Sequence, residues 1–98
     1  MKDAWQLRRG EEVIGRLVLE TVDMFWYDCR FEASTGWTTL RPHMEALRAA
    51  AERSDMDAIH KVDEAISALS LELAPEDGGE PIRDFLVRIK GDSARFRY

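Results

Sequence analysis

Cysteine, histidine, proline and long apolar runs are scarce in this 98-residue chain. A single cysteine, Cys29, excludes an intrachain disulfide and any zinc cage built on cysteine pairs, and a reducing cytoplasm is the expected setting. No apolar run exceeds four residues, Met24 to Tyr27, so neither a transmembrane helix nor a secretory signal peptide is expected, and no membrane partner. The two histidines, His43 and His60, stand seventeen residues apart, and neither has a cysteine or another histidine three or four residues away. That spacing supports no metal site.

Catalytic signatures are equally sparse. No G-x-S-x-G is present, and the six glycines lack the spacing of a phosphate-binding or dinucleotide loop. Gly78-Gly79 lies in the acidic stretch Glu76–Glu80, which would repel phosphate and lacks the alternating ligands of a calcium loop. Cys29 falls among Phe25, Tyr27 and Phe31, surroundings that disfavour a thiolate. The sequence therefore reads as a non-catalytic chain with no cofactor.

What is there is a globular composition: 45% hydrophobic, 34% charged, net charge −5. One domain spanning residues 1–98 is expected, large enough for one core. Ala4–Arg8 alternates apolar and polar, and Arg9-Gly10-Glu11 supplies a tight turn. Glu12–Val22 is rich in Val, Ile and Leu, with Gly15 marking a bulge or a close backbone approach. Phe25–Ala33 has the clearest period of two; its odd residues are expected inward and Trp26, Asp28, Arg30 and Glu32 outward.

After Ser34-Thr35-Gly36 the period turns helical. Thr38 or Thr39 is the expected cap, Pro42 falls near the first turn, and Leu40, Met44, Leu47 and Ala51 form a stripe. Ser54 is the expected cap of a second helix carrying Met56, Ile59, Val62, Ile66 and Leu69, with one kinked helix as the alternative. Ser70–Ala74 reads as a short strand, Pro75–Pro81 as a loop, Ile82–Lys90 as a strand, Gly91-Asp92-Ser93 as a turn, and Ala94–Tyr98 as a last strand. The expected fold is α+β, ordered β-β-β-α-α-β-β-β: an antiparallel sheet of five or six strands with a helical pair on one face, open or curled into a half-barrel.

Charge is unevenly spread. Residues 38–81 hold four cations and ten acids, whereas the strand regions on either side are close to neutral. Trp26, Arg30, Arg88, Arg95 and Arg97 fall at outward strand positions and form the candidate binding surface, since Trp and Arg serve as interface anchors. The competing reading is a solvated face whose arginines pair with Asp28, Glu32 or Asp84. A protein partner or a homodimer is the leading expectation. Nucleic acid on the same face is the alternative, weakened by the net negative charge and by the lack of an aromatic RNA-binding motif.

Trp5-x-Leu7, Ile14-Gly15, Phe31-Glu32 and the closing Asp84-Phe85-Leu86, Gly91-Asp92 and Ala94-Arg95-Phe96 resemble small uncharacterised single-domain proteins of high-GC bacteria. The usage of eleven Arg to three Lys fits such a source. The resemblance carries no activity and implies no functional residues.

Overall fold

A computed structural model describes residues 3–98. Six strands form one antiparallel sheet: β1 (Ala4–Arg9), β2 (Glu12–Asp23), β3 (Trp26–Ala33), β4 (Leu71–Pro75), β5 (Leu86–Lys90) and β6 (Ser93–Arg97). Helices α1 (Trp37–Glu52) and α2 (Met56–Ser67) lie between β3 and β4, so the order is β-β-β-α-α-β-β-β in an α+β fold. The spatial order is β4-β1-β2-β3-β6-β5.

The sheet is curled. Ile82 pairs with Leu73 on the free side of β4, yet β5 begins at Leu86 on the opposite edge. Four residues reach at most about 14 Å, whereas a flat sheet of this width would separate its edges by roughly 24 Å. Trp5 on β1 and Phe96 on β6 confirm the curl, with ring centroids 5.0 Å apart across the concave side although two strands lie between them. The single core lines that concavity: Trp5, Leu7, Leu17, Phe31, Leu73 and Phe96 from the sheet, closed by Leu40, Met44 and Leu47 of α1.

Two bulges shape β2. Leu7 pairs with Gly15 but Arg8 pairs with Val13, which leaves Ile14 as the extra residue, fully buried. Gly15 beside it meets the Phe31 ring; any Cβ there would collide with that ring and stand 2.9 Å from the Glu32 carbonyl. Leu19 pairs with Cys29 and Thr21 with Asp28, so Glu20 is the second extra residue. A bulge re-aims the side chain it carries.

Several local expectations are corrected. Phe25 does not enter the core; Asp23 pairs with Trp26, so Met24 and Phe25 form a two-residue turn and Phe25 is 72% exposed. The period of two continues through that turn without a break in the sequence. Helix α1 starts earlier than its threonines suggest, with Gly36 as N-cap and no side-chain cap bond, because the Gly36 N–H is held by the Val13 carbonyl at 3.0 Å and Trp37 packs on Phe31 at 4.9 Å. Pro42 consequently lies inside the helix.

Ser54 closes α1 instead of opening α2. Its φ of 53° is left-handed, and the N–H groups of Ser54 and Asp55 donate to the Ala51 and Ala50 carbonyls, the double bond of a Schellman ending. The cap of α2 is Asp55, whose carboxylate accepts from the Ala58 N–H at 3.1 Å. Met56 is exposed rather than part of the apolar stripe, and Ile59, Val62, Ile66 and Leu69 are only half-buried against the core. The strand expected over Ile82–Lys90 is broken: Ile82 serves the β4 edge, and only Leu86–Lys90 serves the far edge.

Candidate interaction surface

The convex face of the sheet carries the outward residues of the period-two pattern. Register sets Thr21, Asp28, Arg95 and Arg88 in one row across β2, β3, β6 and β5. The next row, toward the β2–β3 turn, holds Asp23, Trp26, Arg97 and Leu86. Arg95 and Arg97 both stack on Trp26, their guanidinium carbons 4.8 and 5.7 Å from the ring centroid. The two guanidinium groups cover part of the indole, and Trp26 is half-buried.

The structure gathers Trp26, Arg95 and Arg97 and separates the other two arginines from them. Arg30 sits farther along β3, where its guanidinium donates to Glu32 at 2.8 Å. Arg88, on the edge strand, turns toward α2 and lies 3.3 Å from Asp63. Arg95 pairs with Asp28 at 3.1 Å. Of the four candidate arginines, Arg97 alone has no carboxylate partner among the described residues.

A neighbouring ion cluster ties the chain together. Arg16 grips Glu76 through both carboxylate oxygens, at 2.7 and 2.9 Å, and also reaches Glu32 at 3.3 Å. Hydrogen bonds from Arg16 hold both carboxyl groups below the usual carboxylate range, with Arg30 the larger influence on Glu32. The same bonds raise the Arg16 guanidinium. This cluster anchors the loop after β4 to the sheet.

The sheet end beside Trp26 exposes apolar side chains that sequence reasoning missed. Met24 is 84% exposed, Phe25 72% and Val22 52%, and Tyr98 stands 69% exposed at the end of β6. Met24 also has a φ of 57°, which costs a side chain with a Cβ about 1–2 kcal/mol and costs glycine nothing. The Tyr98 hydroxyl shares a hydrogen bond with Tyr27 at 3.5 Å, which raises it above the ordinary phenol range. A signal existed: Met24–Tyr27 is the longest apolar run, and it falls where two adjacent strands require a turn with no Gly, Asn or Pro to make it.

Elsewhere the chemistry is muted. Cys29 is buried, and burial, followed by the nearby Asp28 and Glu20 charges, pushes its thiol up to about 12. No helix among the described residues is long and apolar enough to cross a membrane. Comparison of the chain with protein-family models, with curated proteins and with solved structures finds no match.

Proposed function

We propose that this chain is a non-catalytic interaction module that binds another protein through the sheet end formed by Met24, Phe25, Trp26 and Arg97, with a second copy of itself as the simplest partner. The observation that carries this reading is the β2–β3 turn: two large apolar side chains held in water, one of them on a left-handed backbone. Folding alone gains nothing from that arrangement. Burial against a partner would recover about 25 cal/mol for each Å² of apolar surface covered.

Trp26 and Arg97 would border the contact with an indole and a guanidinium that stacks on it and has no carboxylate partner among the described residues, residue types enriched among interface anchors. The nucleic-acid alternative draws less support, because Arg30, Arg88 and Arg95 are already engaged by carboxylates and have less to offer phosphate.

Sedimentation equilibrium over a concentration series tests the reading. The expected result is a mass that rises toward that of a dimer for the wild type, and a monomer for Phe25→Ser and for Arg97→Glu with unchanged circular dichroism. A wild-type chain that is monomeric throughout removes the homodimer. If Phe25→Ser and the wild type then capture the same proteins equally, the surface itself is excluded.

A further inference from the structure

A second concavity lies on the opposite side of the sheet, between the two helices and the β3–β6–β5 half of the concave face. It is an open cleft of about 490 Å³, within the range of small-molecule sites. The cleft persists because α2 stands off the sheet: it buries none of its residues fully, and it is held to the edge strand through Asp63 and Arg88 at 3.3 Å.

The floor is apolar, made by Cys29 and Ala94 of the sheet, Ile89 of the edge strand, Met44 and Leu47 of α1, and Ile59 of α2. Neither histidine lines it. The mouth is where charge collects. Arg88 and Arg95 are held by Asp63 and Asp28, whereas Arg48 on α1 and Lys90 on β5 reach the mouth with no carboxylate partner among the described residues. One acid without an ion-pair partner among the described residues, Glu20, faces them; the β2 bulge turns it to this side, near enough to Cys29 to raise the thiol. In a chain of net charge −5, this mouth carries more cation than anion.

From these features we infer that the cavity is a binding site for a small amphipathic anion, an apolar body seated on Cys29, Leu47, Ile59 and Ile89 with its carboxylate or sulfonate between Arg48 and Lys90. The apolar part supplies affinity and the two cations supply orientation. The site shares Asp28, Arg88 and Arg95 with the row across the convex face, but none of Met24, Phe25, Trp26 and Arg97 lines it, so it does not depend on the proposed interaction surface.

Titration calorimetry with three probes sharing one alkyl chain tests the assignment: decanoate and decyltrimethylammonium below their micellar concentrations, and decanol below its solubility limit. Decanoate is expected to bind saturably at one site and more tightly than the other two. Arg48→Gln with Lys90→Gln should weaken decanoate by about tenfold and leave decanol unchanged. Glu20→Gln should tighten decanoate by removing a like charge.

Ala51→Trp, at an exposed α1 position on the mouth, should block all three probes. Amide chemical-shift changes on the wild type should centre on Cys29, Ile89 and Ala94, a readout independent of that variant's folding. Absence of saturable binding, a preference for the ammonium, loss of affinity in Glu20→Gln, or shift changes elsewhere on the sheet would each overturn the inference.

Discussion

Arg95 lies over the Trp26 ring at 4.8 Å while its Nε stands 3.1 Å from the Asp28 carboxylate, so one side chain covers the indole and neutralises the neighbouring strand. The two outward arginines of β6 are therefore not equivalent. Arg95→Glu would set a second carboxylate against Asp28 and strip the cover from Trp26, whereas Arg97→Glu disturbs no ion pair among the described residues. Urea denaturation should show Arg95→Glu destabilised by about 1–2 kcal/mol and Arg97→Glu within about 0.5 kcal/mol of the wild type. Equal losses would mean that the Asp28 pair contributes nothing.

Met24→Gly should make the protein more stable. Relief of the left-handed backbone is worth about 1–2 kcal/mol, and the greater freedom of glycine in the unfolded chain returns roughly half of it. A rise in denaturation midpoint together with weaker self-association is the expected pair of results. A fall in midpoint would show that the Met24 side chain stabilises the fold itself.

Gly15→Ala should do the reverse. Its new methyl would enter the Phe31 ring and crowd the Glu32 carbonyl at 2.9 Å. The expected loss is about 1–3 kcal/mol, and Phe31→Leu in the same chain should return part of it. A double-mutant cycle with no coupling would place the strain elsewhere.

Cys29 should resist iodoacetamide at neutral pH in the folded protein and react at once in denaturant, as mass spectrometry would show. Its folded-state value is raised, so the neutral thiol is the form the fold favours. The associated stability is complete below the unfolded thiol value of about 8.5 and declines as pH climbs from there toward 12. Cys29→Ser should flatten that alkaline decline.

On the acid side the sign is opposite. Glu76 and Glu32 are depressed by their guanidinium partners, so their contribution is present above the ordinary carboxylate value of about 4.3 and is lost as pH falls through the folded values. The urea midpoint should drop as pH falls from about 5 to about 3, and Arg16→Gln should shrink that drop. Because the pairs are exposed, added salt should diminish the difference between variant and wild type.

Sequence pattern and structure part where two local rules compete. Phe25 continued an alternation that a turn had already ended, and Ser54 looked like a cap for the helix after it while its backbone was closing the helix before it. Ile82 has the composition of a strand continuing to Lys90, but the curl of the sheet sends the two ends of that segment to opposite edges. The candidate surface was half legible. Outward positions followed from alternation, but ion pairing then removed Arg30 and Arg88 from the group around Trp26.

Periodicity by itself determined the order of the elements, the α+β class and which side of β1, β3 and β5 faces the core, though not that of the twice-bulged β2, because a period of two or of 3.6 is a local property of the chain. Strand order, the curl, the exposed turn and the cavity beneath α2 were decided only in the tertiary structure. Each depends on contacts between residues far apart in sequence, such as Trp5 against Phe96, Leu73 with Ile82 and Asp63 with Arg88. Such pairings are set by how the packed elements share one core, and no local pattern encodes them.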